Sequence, residues 1–259
     1  MIRMLFNNGI KYDSRLYSES QNPFLISIRC RKVDCLRELL HHTELGTSNS
    51  SDTSIMKSIR INQPETIPLL LESGDNPDKF VFNPIRKEYE SALSLACKAQ
   101  INGKEEVVKL LLENINKVDL DRSIESPSAV HWICESRSPV ICKLVLEKGI
   151  DVNRFDQNGC SGPQRLTDCR DEDVVIEILQ LLIAFGYDMN LVSKNDNSKP
   201  ILVHFCQSIV PSLRVIDWML QNGADPYLPF KEHNLEKTPF DIARNKFKLR
   251  PIFMKYVNK

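Results

Sequence analysis

The sequence predicts an all-α fold, in which helix-turn-helix repeats joined by extended loops stack into a solenoid. An apolar run of Leu, Ile and Val, followed by polar residues and often by a glycine, recurs seven times along the 259 residues. Five of the nine glycines directly follow such a run. A shorter apolar phrase precedes most of the runs. One helical hairpin cannot bury its apolar face alone, so the repeats must stack.

The longer runs predict the second helix of each repeat. Glycine suits the end of such a helix because it adopts the left-handed conformation without a Cβ clash. The five glycines at this position are Gly9, Gly74, Gly149, Gly186 and Gly223. The seven runs are Ile2 to Asp13, Cys35 to Glu44, Ile67 to Asn76, Val107 to Asp119, Ile141 to Asn153, Ile178 to Asn190 and Val215 to Pro226.

The shorter phrases predict the first helix of each repeat. Three of them have proline at the second position, and its fixed φ suits a first helical turn. The five phrases are Asn22 to Ile28, Ser91 to Cys97, Ser128 to Cys134, Lys199 to Phe205 and Thr238 to Ala243. Residues 50–74 lack most of this pattern. Longer separations between successive runs predict insertions at Ala99 to Lys104, Gly162 to Asp173 and Cys206 to Leu213.

Four phrases carry a resemblance to a known family: KTPFDIA (237–243), QNGADP (221–226), EKGIDVN (147–153) and EEVVKLLLEN (105–114). They resemble the ankyrin repeat. The segment from Ser128 to Asn153 aligns with the family pattern without a gap and has His131 at the family's histidine position. The resemblance implies a single ankyrin-repeat array over residues 1–259, with about seven repeats plus a closing one. The first is incomplete at the N-terminus, and residues 238–259 form a C-terminal capping repeat.

The charge balance argues against nucleic-acid and membrane partners. The 34 basic residues equal the 34 acidic ones, so the net charge is zero and no bulk attraction to phosphate or anionic lipid is expected. No apolar run approaches the ~20 residues that span a bilayer. No secretory signal begins the sequence, so the eight cysteines are expected to be thiols in a cytoplasmic protein, with the nucleus as an alternative. We expect a monomer without a cofactor.

Candidate catalytic and metal-binding residues each have a structural alternative. The signatures GxGxxG, GxxxxGK[ST], HExxH and GxSxG are all absent. His131 and Cys134 lie three residues apart on a predicted helix, as a base and a nucleophile would. The ankyrin resemblance instead implies a histidine that hydrogen-bonds neighbouring loops and a small packing residue. The acidic run from Asp168 to Asp173 predicts a solvated loop, because it contains Arg170 and lacks a calcium-loop glycine.

The resemblance implies a non-catalytic protein-interaction module or adaptor, which binds a partner protein on a concave face formed by loop tips and first helices. Two alternatives stay open: the regulatory repeat region of a larger enzyme or ubiquitin-ligase adaptor, and a stand-alone cysteine hydrolase that uses His131 and Cys134. Alignment with the family places the partner contacts at exposed tip positions and just after the first helices. The positions are Lys87, Glu88, Glu90, Lys98, Glu125, Glu135, Ser136, Gln157, Asn158, Asn195, Asp196, Gln207, Asn234, Leu235 and Lys237.

Overall fold

The computed structural model describes residues 21–42, 52–115, 127–192, 199–232 and 235–256. It divides into two compact halves, Met1–Asp119 and Leu120–Lys259. Within the described residues each half is built from successive helical hairpins. The prediction of one uninterrupted array from residue 1 to residue 259 stays a prediction.

The N-terminal half contains three helical hairpins and one β-hairpin among its described residues. Side-chain caps start several of the helices: Asn22 Oδ1 accepts from the Phe24 amide at 3.0 Å, and Thr53 Oγ1 accepts from the Met56 amide at 3.2 Å. The helices are α1 (Pro23–Arg29), α2 (Val33–His42), α3 (Ser54–Arg60), α4 (Ile67–Glu72), α5 (Ala92–Lys98) and α6 (Lys104–Asn114), with a 3₁₀ turn at Pro64–Thr66. The antiparallel strands are β1 (Val81–Asn83) and β2 (Glu88–Glu90).

The C-terminal half is likewise built from pairs of helices among its described residues. Here Ser138, Asp171 and Ser212 cap the second helices with their side-chain oxygens. The helices are α7 (Ala129–Ser136), α8 (Pro139–Leu146), a 3₁₀ helix (Gly162–Leu166), α9 (Glu172–Ala184), α10 (Ile201–Gln207), α11 (Leu213–Gln221), α12 (Pro239–Arg244) and α13 (Arg250–Met254). The antiparallel strands are β3 (Phe230–Glu232) and β4 (Leu235–Lys237).

The glycines end the second helices as predicted. Gly74, Gly149, Gly186 and Gly223 have φ angles of 87°, 75°, 91° and 97°, all in the left-handed region. Gly9 lies outside the described residues. A side chain at Gly186 or Gly223 would meet no atom within 4 Å, so the backbone angle rather than space requires glycine there.

The segment from Gly162 to Asp173 corrects a sequence prediction. We expected an insertion, but its first part is the 3₁₀ helix Gly162–Leu166, which packs against α7 in the place of a repeat's first helix. A Cβ on Gly162 would lie 2.8 Å from both Cγ2 and the carbonyl oxygen of Val130. Glycine therefore permits the close approach of this short helix to α7.

Two further expectations about the repeats are settled by the helix bounds. The segment of residues 50–74 has a first helix after all, α3, whose Ile55, Met56 and Ile59 are at most 1% exposed. The predicted insertions at Ala99 to Lys104 and Cys206 to Leu213 are confirmed as loops, residues 99–103 and 208–212, whereas only two residues separate α7 from α8.

The core of each half lies between its stacked hairpins and is aliphatic. Leu111 on α6 and Leu179 on α9 are both fully buried. Trp132, on α7, is 2% exposed and belongs to this core. All eight cysteines are free thiols, and four of them are buried: Cys97, Cys134, Cys142 and Cys206.

Two asparagines connect successive loops of the C-terminal half. Asn153 Nδ2 donates to the Gly186 carbonyl at 2.9 Å, and Asn153 Oδ1 accepts from the Asp188 amide at 2.9 Å. Asn190 repeats the pattern with the Gly223 carbonyl and the Asp225 amide, at 2.9 and 2.8 Å. Each loop is thereby held to the next one by two hydrogen bonds.

Candidate protein-binding surface

The hairpin of β1 and β2 has two chemically different faces. Side chains alternate along a strand, and Phe82 pairs with Tyr89 across the two strands. Their rings meet edge to face with centroids 5.3 Å apart, yet the two residues are 49% and 37% exposed. Ile85, in the turn, is 92% exposed. One face of this hairpin therefore presents apolar surface to solvent.

The opposite face of the same hairpin is fixed to the helices by ion pairs. Arg60 Nη2 donates to Glu90 Oε2 at 2.6 Å, and Asn83 Nδ2 donates to the same oxygen at 2.9 Å. Lys98 Nζ donates to Glu88 Oε1 at 2.6 Å. Burial alone would raise the pKa of Glu90, but the bonds from Asn83 and Arg60 outweigh it and leave that pKa lowered. Glu90 is thus an anchored, ionised carboxylate.

This burial corrects the sequence prediction for two residues that were expected to be exposed. Glu90 is 1% exposed, because Arg60 and Asn83 enclose it. Ser136 is 7% exposed, since its hydroxyl donates to the Ile133 carbonyl at 2.6 Å within α7. Neither side chain is open to a partner in this structure.

The remaining predicted contact residues fall into three groups. Five are exposed: Lys87, Gln157, Asn158, Gln207 and Leu235. Four are half-buried: Glu88, Lys98, Glu135 and Lys237. Four lie outside the described residues: Glu125, Asn195, Asp196 and Asn234. The role of all these residues as partner contacts stays a prediction.

The hairpin of β3 and β4 is organised around Glu232. Its carboxylate accepts from Lys199 Nζ at 2.5 Å, Lys237 Nζ at 2.8 Å and Gln207 Nε2 at 3.1 Å. These three hydrogen bonds lower the pKa of Glu232 to about 2. Leu235 stays 61% exposed on this hairpin. Two of the predicted contact residues, Gln207 and Lys237, therefore bind an internal carboxylate.

The loop before the 3₁₀ helix is shaped by one aspartate and one histidine. Asp156 Oδ1 accepts from the amides of Asn158 and Cys160, each at 2.9 Å, and Asp156 Oδ2 accepts from Arg165 at 3.1 Å. His131 Nε2 lies 2.8 Å from the Cys160 carbonyl. This contact joins α7 to the following loop, which confirms the bridging role that the ankyrin resemblance implied for His131.

His131 is not arranged as a catalytic base. Its Nδ1 accepts from the Ser128 amide at 3.2 Å, so the ring proton lies on Nε2 and is donated to Cys160. Burial lowers the pKa of His131 and raises that of the fully buried Cys134 thiol well above its usual value. A nucleophilic thiolate needs the opposite shift, so this pair does not support a cysteine hydrolase.

The acidic run after the 3₁₀ helix serves capping and ion pairing. Asp168 pairs with Arg137 at 2.8 Å, Asp171 caps α9, and Asp173 pairs with Arg214 at 2.6 Å. Among the described residues, no group of three or more His, Cys, Asp or Glu side chains is placed to hold a metal ion. In the same part of the chain, no helix has both the length and the apolar character needed to cross a bilayer.

Stacked helical hairpins with projecting β-hairpin loops define a helical repeat protein of the protein-binding class. A family model described as ankyrin repeats (3 copies) matches residues 78–156. Residues 78–156 therefore contain ankyrin repeats, and the chain has the ankyrin-repeat fold that the sequence predicted. Ankyrin repeats are protein–protein interaction modules, and their fold is typically a non-catalytic scaffold. The number of repeats stays a prediction.

Two solved structures show the same fold. The ankyrin repeat domain of Bcl-3, described as a unique member of the IkappaB protein family, has a TM-score of 0.67 at 20% identity, covering 92% of this chain and 100% of that one. An ankyrin repeat domain from Acinetobacter baumannii AYE has a TM-score of 0.56 at 17% identity, covering 70% of this chain and 89% of that one. No curated protein matches the sequence.

Proposed function

We propose that the chain is a non-catalytic adaptor that binds a partner protein with its β-hairpin tips, and that Phe82, Ile85 and Tyr89 are its principal anchors. The observation that supports this most is the exposed aromatic pair on a hairpin whose other face is fixed by Glu90. Aromatic residues dominate the energetics of protein interfaces. A rigid support lowers the entropy lost when the interface forms.

The adaptor acts in the cytosol or nucleus in this proposal. Eight free thiols, four of them buried, support a reducing compartment. Two basic residues of the hairpin turn, Arg86 and Lys87, are exposed, and Arg86 also lies 3.8 Å from the Glu88 and Glu90 carboxylates. They favour a partner whose surface combines apolar side chains with acidic ones.

The test compares the intact chain with the triple variant Phe82→Ser, Ile85→Ser, Tyr89→Ser in quantitative affinity capture from a lysate of the source cells. Reversing the charge of Glu88 and Glu90 by substitution with lysine would be a poorer test, because these carboxylates hold the hairpin in place. We expect the triple variant to lose the captured partner while keeping its circular dichroism spectrum.

A matched control removes apolar surface elsewhere, with Val140→Ser, Phe185→Ser and Met254→Ser. These residues are 50%, 42% and 51% exposed, comparable to Phe82 and Tyr89. The control is expected to capture the same partner as the intact chain. Equal capture by both triple variants would refute the assignment of the β1–β2 hairpin as the binding site.

A further inference from the structure

A second surface feature lies in the C-terminal half, at loops that join the two helices of a repeat. It is an open groove of about 1060 Å³. Its lining comes mainly from residues 167–172 before and at the start of α9, and residues 207–214 between α10 and α11. Lys248, from the loop before α13, also lines it. None of the three apolar anchors of the β1–β2 hairpin belongs to this groove.

Hydrogen bonds between the loops hold the groove open. Ser208 Oγ donates to the Thr167 carbonyl at 3.1 Å, and Ser212 Oγ donates to Glu172 Oε1 at 2.5 Å. The loop that carries Lys248 is fixed as well, because Lys246 Nζ donates to the Cys206 carbonyl at 2.6 Å. The groove is therefore preformed and requires no rearrangement to admit a ligand.

The groove exposes aliphatic side chains to an unusual degree. Ile209 is 100% exposed and Val210 is 81% exposed, and Leu213 lines the same groove. Phe247 is next to Lys248 in sequence and is 94% exposed, outside the groove lining itself. Large apolar side chains grouped in this way mark interaction sites, because covering them removes apolar area from water.

The groove lining has three basic side chains, Arg170, Arg214 and Lys248, and two acidic ones, Asp168 and Glu172. Its acidic side chains are already engaged, Asp168 by Arg137 and Glu172 by the Ser212 hydroxyl. Within the described ranges, Arg170 and Lys248 make no ion pair or hydrogen bond, and both line the groove. A ligand that carries carboxylates would therefore find two available cations, Arg170 and Lys248, while the Glu172 carboxylate keeps its negative charge beside them.

We propose that this groove binds an acidic, apolar peptide segment of a partner protein. Its aliphatic side chains cover Ile209 and Val210, and its carboxylates pair with Arg170 and Lys248. A groove with walls on two sides suits an extended or helical peptide better than a planar lipid surface. This binding site is independent of the proposed function of the β1–β2 hairpin, since the two surfaces use different residues in different halves.

The test measures binding of fluorescein-labelled synthetic peptides by fluorescence anisotropy. The probe has about 14 residues, with a leucine face flanked by glutamates, and its counterpart carries lysine at every glutamate position. The site variant is Ile209→Glu with Lys248→Glu. The matched control is Val140→Glu with Lys143→Glu on α8, which makes the same change in charge and also replaces one β-branched aliphatic residue and one lysine. All four side chains are exposed, so both variants are expected to fold.

We expect saturable binding of the glutamate peptide, a loss of about tenfold or more in affinity for the site variant, and no loss for the control. The lysine peptide is expected not to bind. Equal affinity for the two variants, or no saturable binding of the glutamate peptide, would overturn the proposal. Binding only to phosphatidylserine-containing vesicles, lost in the site variant, would overturn it in favour of a membrane surface. The hairpin triple variant is expected to bind the peptide normally.

Discussion

Removing one buried leucine should destabilise one half of the protein and leave the other half unaffected. Leu111 lies on α6 of the N-terminal half and is fully buried. In Leu111→Ala the side chain loses three carbons, worth about 2.4 kcal/mol of transfer free energy at about 0.8 kcal/mol per methylene. The cavity left behind adds to this loss, so we expect a total cost of about 3 kcal/mol, within the usual range of about 2–5 kcal/mol.

The chain offers a natural probe for this prediction, because both of its tryptophans, Trp132 and Trp218, lie in the C-terminal half. Urea unfolding is followed by tryptophan fluorescence, which reports on that half, and by far-ultraviolet circular dichroism, which reports on helices in both. At an m-value of about 2 kcal/mol per molar, the lost stability moves the N-terminal transition down by about 1.5 M urea. In repeat proteins each repeat contacts only its neighbours, so the fluorescence transition should stay in place.

The matched variant is Leu179→Ala on α9, a residue that is equally buried but belongs to the C-terminal half. It should shift the fluorescence transition by a similar amount. The reasoning is refuted if Leu111→Ala shifts the fluorescence and dichroism transitions together and equally. Such a result would mean that the two halves unfold as one cooperative unit.

Two further variants test the local interactions described above. Glu232→Gln should weaken the dependence of stability on pH. The folded-state pKa of Glu232, about 2, lies below its ordinary value of 4.5. The carboxylate's contribution to stability is therefore present above about pH 4.5 and is lost as pH falls toward 2. After allowance for solvent screening, we expect the loss of stability between pH 7 and pH 3 to be smaller by about 1 kcal/mol in Glu232→Gln than in the intact chain, measured by urea unfolding. The control Glu236→Gln, at an exposed residue, should lose as much stability as the intact chain. Arg31→Gly should leave the free energy of unfolding unchanged or raise it by up to about 1 kcal/mol, because Arg31 has a φ of 55° that glycine adopts without strain. The melting temperature should therefore stay the same or rise. Lys109→Gly, within α6, should instead cost about 1 kcal/mol, and a melting temperature that falls equally in both variants would contradict this account.

The features that the sequence predicts correctly depend on short-range patterns. Gly74 and Gly186 end their helices because a left-handed turn is a local requirement, visible in the residues just before it. The family pattern predicts the bridging role of His131, because the spacing of Ser128 and His131 within one repeat identifies the histidine position. Periodicity of apolar residues was sufficient for most of the helices.

The features that sequence reasoning missed depend on contacts between distant residues. Burial of Glu90 requires Arg60, 30 residues earlier, which no local pattern indicates. The 3₁₀ helix at Gly162–Leu166 depends on its approach to Val130 in the preceding repeat. The apolar face of the β1–β2 hairpin was missed because each strand has only three residues, too few to show an alternating pattern. Each strand has a single alternation, Phe82 between Val81 and Asn83 and Tyr89 between Glu88 and Glu90, which only the pairing of the two strands in the structure identifies as one face.

The asparagine bridges between loops affect how the chain folds as well as how stable it is. Asn153 and Asn190 each reach partners 33 and 35 residues away. Each closure therefore carries nearly the same loop entropy, wherever in the array it forms. Folding can begin at any repeat and extend from it in either direction at similar cost. A whole repeat can be gained or lost in evolution without lengthening the loops that the remaining bridges must close.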